Sequence, residues 1–347
     1  MTTMTETAAR ITGGVDTHRD VHVVAALDER GALLDTNEFP ATAAGYHDLL
    51  VWLGWFGPIE RVGVEGTGTY GAGLARHLMD RDIDVVEVDR PNRQRRRRAG
   101  KSDTTDAISA ARAALSGEAS TTAKTRDGNV EKLRVLRVAR RSIRHDRVRA
   151  LNQLRAMVVT APPELREQLT GLTSIGVAQA VNKFRVADPT SDLGALKYAM
   201  RSLGRRAEEL RAEGKTLDKI MRTIIEDTAP ALIDRDGIGV DAASALLVAA
   251  GDNPERLHSE AGFARLCGAA PLEASSGMVT RHRLSRAGNR QANSALYRIV
   301  INRMSNDQRT KTYVTRRRDE GKSNLEIIRC LKRYVAREVY PLLAIAP

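Results

Sequence analysis

The chain has 347 residues, 42% of them hydrophobic, with 55 Lys and Arg against 43 Asp and Glu for a net charge of +12. That length and apolar content exclude a chain disordered throughout and predict two or three domains with real cores. Two cysteines, Cys267 and Cys330, exclude a disulfide framework, no histidine pairs with a cysteine at zinc-finger spacing, and neither a signal peptide nor a run approaching the roughly 20 apolar residues of a membrane span is visible, so a cytoplasmic protein without a membrane partner is expected.

The first hundred residues alternate strand and helix signals. Ile11 to Val15, Val21 to Leu27 and Ala32 to Phe39 form three β-rich runs separated by turn residues such as Asp28-Glu29-Arg30-Gly31, which predicts an antiparallel meander. A helical stretch follows from Ala43 to Trp55, then a strand Arg61 to Glu65, a helix Tyr70 to Met79 and a strand Ile83 to Val88. The order β-β-β-α-β-α-β is that of a ribonuclease H-like α/β layer. A basic linker, Arg90 to Arg98 with Arg95, Arg96, Arg97 and Arg98 in a row, leads past Lys101 to a helix opened by Ser102 or Asp103 and running to Leu115.

Two long helices are predicted next, from about Val130 to Val158 and from Leu193 to Ile225. In the second, Leu196, Met200, Leu203, Ala207, Leu210, Gly214, Leu217, Met221 and Ile224 alternate steps of four and three, a heptad seam that demands a coiled-coil partner within the chain or on another subunit. Pro162-Pro163 falls between them, and the stretch to Thr190 gives no clear pattern. After Pro230, Asp236-Gly237-Ile238-Gly239-Val240 before an Ala/Leu helix is similar to the turn of a helix-hairpin-helix element, in which Gly237 and Gly239 would let backbone N–H groups approach a phosphate. A plain turn between helices fits those glycines as well. The remainder, to Leu343, is basic and mostly helical.

Four acids stand out. Asp16 ends the first strand and Glu65 the fourth, neighbours in such a sheet, while Asp103 and Asp106 share one helix face. Singly, each suits a turn, a surface or a first-turn helix position. Together they would repel one another unless cations lay between them, and Mg²⁺ with its preference for oxygen ligands fits, two ions roughly 3.5–4 Å apart being the arrangement that clamps a phosphodiester. The loop Pro271 to Gly277 carries Ser275 and Ser276 ahead of Arg281, Arg283, Arg286 and Arg290. A serine attacks phosphorus only when the phosphoester is held and its charge met, which arginines can do, although Ser-Ser-Gly is also an ordinary turn.

The charge is segregated to match. Residues 1–90 hold 7 basic and 15 acidic side chains, 91–160 hold 18 and 6, 161–270 hold 14 and 16, and 271–347 hold 16 and 6. Two basic blocks with aromatics at only 4% of the chain suit phosphate-backbone contact better than base stacking.

These residues carry a family resemblance. Gly13-Gly14-Val15-Asp16-Thr17-His18, Val21-His22-Val23, Val64 to Tyr70, Lys101 to Ala107, Asp236 to Gly239, Phe263 to Gly268, Ser275-Ser276-Gly277 and Leu284 to Arg290 together resemble the DEDD transposases of the insertion sequence 110 family, in order along nearly the whole chain. The resemblance implies a RuvC-like nuclease domain (1–125), a coiled-coil region (126–228) and a mostly helical C-terminal transposase domain (229–347). It implies a metal-binding tetrad of Asp16, Glu65, Asp103 and Asp106, with Mg²⁺, for which Mn²⁺ could substitute, as cofactor. The implied nucleophile is Ser276, directly before Gly277, with Ser275 beside it. The partners implied are donor and target DNA, a structured bridge RNA that pairs with both, and a dimer assembling to a tetramer whose active sites combine the tetrad of one subunit with the serine of another. Action at the bacterial nucleoid follows. Rival readings are a metal-only nuclease, an actin-like ATPase or sugar kinase, and a noncatalytic nucleic-acid-binding protein.

Overall fold

The computed structural model describes residues 10–88, 102–119, 121–125, 127–251, 257, 259–273, 282–284 and 288–343. The chain divides into two compact units, Met1–Asp127 with Gly251–Arg256, and Gly128–Ala250 with Leu257–Pro347. Mixed α/β structure makes up the first and helices most of the second.

In the first unit the elements run β1 (Ile11–Thr17), β2 (Val21–Leu27), β3 (Leu33–Pro40), α1 (Ala43–Gly54), β4 (Ile59–Glu65), α2 (Ala72–Met79), β5 (Asp84–Val88), α3 (Asp103–Leu115) and β6 (Thr121–Thr122). The six strands order as β3-β2-β1-β4-β5-β6. The meander is antiparallel, β1 pairs parallel with β4 and β4 with β5, and β6 closes the edge antiparallel to β5. Gly31 at φ +82° permits the turn that Asp28 closes by accepting from the Arg30 and Ala32 N–H groups.

Strand alternation sorts the residues of this sheet onto two faces. Ile11, Val15, Val24, Val62, Val64 and Val85 face α1 and α2, where Leu49, Leu53, Leu74 and Leu78 complete a buried cluster. Each of those leucines contributes about 1.5–3 kcal/mol by leaving water. The opposite face takes α3, whose Ala107, Ala110, Ala111 and Ala114 are all buried. A helix of alanines can approach a sheet closely only where the sheet offers glycine, and it does. A Cβ on Gly14 would fall 2.1 Å from Ala111 N and one on Gly63 would fall 2.7 Å from Ala110 O.

The second unit contains α4 (Gly128–Thr160), α5 (Pro163–Leu169), α6 (Ser174–Val181), α7 (Asp192–Thr228), α8 (Pro230–Ile233), α9 (Val240–Ala250), α10 (Glu260–Leu266), β7 (Pro271–Glu273), β8 (His282–Leu284), α11 (Arg290–Asn306), α12 (Gln308–Asp319) and α13 (Asn324–Leu343). Pro163 starts α5, where its missing N–H leaves no bond unmade. The long helices α4 and α7 run antiparallel: Val130 and Leu133 share a core with Met221 and Ile225 at one end, Ala150 and Leu154 with Met200 and Ala207 at the other. Arg140 forks Asp218 across the pair at 2.8 and 2.9 Å. Of the heptad seam, Met200, Ala207, Gly214 and Met221 are buried, whereas Leu196, Leu203, Leu210, Leu217 and Ile224 are half-buried. Helix α9 is apolar on nearly every side and sits inside the main core with α11 and α13, as an all-round hydrophobic helix must. No helix of the described residues is long and apolar enough to cross a membrane.

Candidate active site

The position of the acids follows from the two glycines. Gly14 and Asp16 point to the same face of β1, and Gly63 and Glu65 to the same face of β4, because side chains alternate with period two. The strands pair in parallel with Val15 opposite Val64, so Asp16 and Glu65 stand side by side one step further on. Helix α3 crosses that face with Ala107 and Ala111 over Gly14 and Ala110 and Ala114 over Gly63. One turn back along the same rows lie Asp103 and Asp106. Ser102 caps this turn by accepting from the Thr105 N–H at 3.2 Å. Thr17 donates to the Glu65 carbonyl at 2.8 Å and ties the two strand ends, and Gly66 at φ +71° turns the chain away behind them.

Asp16, His18 and Asp103 offer ligand atoms that all lie within 4.8 Å of one another. His18 Nε2 stands 3.3 Å from Asp16 Oδ2 and 3.4 Å from Asp103 Oδ2, paired with both carboxylates. Asp16 is 7% exposed and Asp106 is 5% exposed. Burial pushes the Asp16 carboxyl above its ordinary range; His18 opposes the shift, and the charges of Asp106 and Asp103 add to it. Two buried carboxylates, Asp16 and Asp106, with the exposed Asp103 carboxylate and a half-buried imidazole beside them, are an oxygen-rich donor set that fits a divalent cation such as Mg²⁺ or Mn²⁺, whose charge would relieve the repulsion. Glu65 adjoins through its strand position. His22, by contrast, is a core residue: fully buried, its ring stacks on Tyr46 at 5.6 Å and an angle of 6°.

In the second unit β7 pairs antiparallel with β8, Leu272 opposite Arg283 and Glu273 opposite His282. Ser275, Ser276 and Arg281 fall between these strands in sequence, and Arg286 just after them; all four lie outside the described residues, as do Arg95, Arg96, Arg97, Arg98 and Lys101. The stems of the hairpin are held by a close contact, since a Cβ on Gly288 would meet Gly268 N at 2.3 Å. Asn293 Nδ2 donates to the Cys267 and Gly268 carbonyls at 2.7 and 3.1 Å, and its Oδ1 accepts from the buried Lys332 ammonium at 2.9 Å. Arg290 is the first residue of α11. The turn before α9 is also occupied by packing: Gly237, at φ +76°, faces Arg303 and Asn302 of α11, and the Gly239 carbonyl accepts from the Ala242 and Ala243 N–H groups. Arg303 Nε donates to Asp236 O at 2.7 Å and holds that turn.

Comparison with known proteins agrees with both halves. Residues 13–163 match a model of DEDD transposases of the IS110 type, described as a transposase, and residues 229–315 match a model described as transposase IS116/IS110/IS902 family. The chain belongs to the IS110 family of transposases. The uncharacterised 43.6 kDa protein of insertion element IS110 from Streptomyces coelicolor is 29% identical over 143 residues, 40% of this chain and 35% of that relative. The match thus spans about a third of that relative's length.

Three residues of this IS110-family chain escaped the sequence reading: His18 beside the acids, and Asn293 and Lys332, which join α11 to the Cys267–Gly268 turn and to α13. His18 left a signal, an Asp-x-His at a strand end, but searching histidines only for zinc-finger spacing passes over it. Asn293 and Lys332 left none, because they meet across 39 positions of sequence.

Proposed function

We propose that the chain is a DNA transposase that cuts and rejoins donor and target DNA for an insertion sequence, guided by a bridge RNA. Its first unit acts as a RuvC-like, ribonuclease H-like nuclease domain. Asp16, Glu65, Asp103 and Asp106 would hold Mg²⁺, with His18 at its edge. The observation that carries this reading is the convergence of Asp16, His18 and Asp103 in a chain of this family. A cation held there would supply positive charge to the scissile phosphate and to the oxygen that leaves it.

The remaining chemistry belongs to the chain. Ser276 Oγ forms the new bond to phosphorus as the bond from phosphorus to the 3′-oxygen breaks, and the proton lost by the serine passes, by way of a base or water, to the departing 3′-oxygen. Arg281, Arg283 and Arg286 meet the phosphate charge. The freed 3′-hydroxyl of one strand then attacks the phosphoserine of the other, restoring both the phosphodiester and the serine. One phosphoester is exchanged for another at each step, so no ATP is required. The half-buried leucine line of α7 suits a further helix from a second subunit, in keeping with a dimer that assembles to a tetramer.

Strand exchange tests the reading. Purified chain, its RNA, two DNA substrates and Mg²⁺ should give recombinant product, and Asp16→Ala and Ser276→Ala should each abolish it. Product formation undiminished in both variants would refute the mechanism. A second reading, metal-only hydrolysis, is supported by the acids converging within the first unit alone. It predicts cleavage without rejoining and without any serine-linked DNA.

A further inference from the structure

A separate feature lies wholly in the second unit. Arg137, Arg140, Arg141 and Arg144 of α4 recur at i, i+3, i+4 and i+7 and so share one helix face. That face, the first turn of α9 and the start of α11 enclose an open cavity of about 380 Å³, lined among the described residues by six arginines and a single carboxylate, Asp241. So much like charge in one place is costly unless a structure or a ligand compensates it.

Half of it is compensated internally. Arg137 Nη1 donates to Asp241 Oδ1 at 2.9 Å, to Asp241 O at 2.6 Å and to Ser244 Oγ at 2.7 Å, and its Nη2 donates to Gln291 Oε1 at 3.1 Å. Arg298 takes the other Asp241 oxygen. Arg140 is occupied by Asp218. Asp241 is therefore saturated, with its carboxyl held low by Arg298 and Arg137 against the opposing effect of burial. Arg141, Arg144 and Arg290 are exposed and have no carboxylate partner among the described residues. A rigid floor of paired charges thus carries a rim of unpaired guanidinium groups.

The chemistry of that rim selects its ligand. Guanidinium forks match the oxygens of a phosphate, and the N-termini of α9 and α11 at the cavity wall add partial positive charge. Among the described residues no aromatic side chain lines the cavity to hold a base. We propose that this cavity seats the phosphodiester backbone of a nucleic acid, gripped by Arg141, Arg144 and Arg290 over the Arg137–Asp241–Arg298 floor. It shares no residue with the acidic cluster. The inference rests on the transposase reading for its choice of polyanion.

The test is fluorescence anisotropy of the full chain in EDTA, with an arbitrary duplex DNA and an arbitrary RNA hairpin, from low to moderate salt. Arg141→Gln/Arg144→Gln is compared with Arg205→Gln/Arg206→Gln, a control pair on α7 that removes the same charge outside the cavity. All four side chains are exposed, so folding is retained. The cavity pair should weaken binding of at least one polymer roughly 10-fold and lower the steepness of log K against log salt by about 1–2, as expected for two lost phosphate contacts. Loss for DNA alone, RNA alone or both supports the proposal and identifies the polymer. Behaviour equal to the control pair for both polymers overturns it. Binding in EDTA needs neither Asp16 nor Ser276. A null result here leaves the transposase chemistry standing, and failed strand exchange with cavity-dependent binding intact would remove that chemistry alone.

Discussion

Gly14 of β1 lies so close beneath Ala111 of α3 that a single added methyl would stand 2.1 Å from the Ala111 nitrogen. The neighbour is helix backbone, which cannot rotate aside. Gly14→Ala should therefore displace α3 and cost ~3 kcal/mol or more, at the upper end of overpacking effects. Because α3 carries Asp103 and Asp106, divalent-cation affinity should fall along with the melting temperature. A variant that kept wild-type stability and cation binding would show that this contact does not position the acids.

Cation binding is the second expectation. Asp16→Asn, Asp103→Asn and His18→Ala should each weaken Mn²⁺ binding by calorimetry at least ~10-fold, as losses around a metal site commonly do. Wild-type chain should melt higher in Mg²⁺ than in EDTA, by the equivalent of ~2.7 kcal/mol when the ion is at 100 times its dissociation constant. In EDTA Asp16→Asn should melt above wild type, since it removes a buried charge that Asp106 and Asp103 repel. Unaltered Mn²⁺ affinity in all three variants would dissociate this cluster from metal binding.

Much of this geometry was legible in the sequence, for a definite reason. The strand order and the place of Asp16 and Glu65 follow from alternation and turn residues, which are local, and the Asp103/Asp106 spacing is local too. Gly14 and Gly63 were visible as letters, but that they admit one helix is a fact about residues some 50 to 100 positions apart. The same holds for Asn293 with Lys332 and for the arginine face of α4, which is indistinguishable from a solvated helix until α9 and α11 fold against it. Strand β6, two residues long, is too short to leave a pattern.

Acid sensitivity has an assignable contributor. Arg303 forks Glu338 at 2.7 and 3.0 Å and holds its carboxyl below the ordinary range despite burial. The folded protein thus binds this proton more weakly than the unfolded chain. Its stabilisation is present above the unfolded value near 4.5 and is lost as pH falls through the folded value. Glu338→Gln should cost about 1 kcal/mol at pH 7, allowing for screening at a side chain 36% exposed. Urea titrations should show that gap closing in acid, and a gap independent of pH would exclude the ion pair as its cause.

The two thiols should differ sharply. Cys267 is buried, and burial pushes its thiol up to about 12, whereas Cys330 is half-buried. At pH 8 the Cys267 thiolate is on the order of one part in 10⁴, so native chain should consume one equivalent of a thiol reagent quickly and the second only on unfolding. Rapid reaction of both would mean that the α10–α11 junction opens readily.

Trapping of serine-linked DNA distinguishes transesterification by Ser276 from hydrolysis in one experiment. Full-length chain incubated with its RNA, donor and target DNA and Mg²⁺, then denatured and digested, should yield a peptide carrying a nucleotide on Ser276 by mass spectrometry. The adduct should be absent in EDTA, in Asp16→Ala and in Ser276→Ala. Strand exchange by Ser276→Ala at the wild-type rate, with no nucleotide on any serine, would contradict the account.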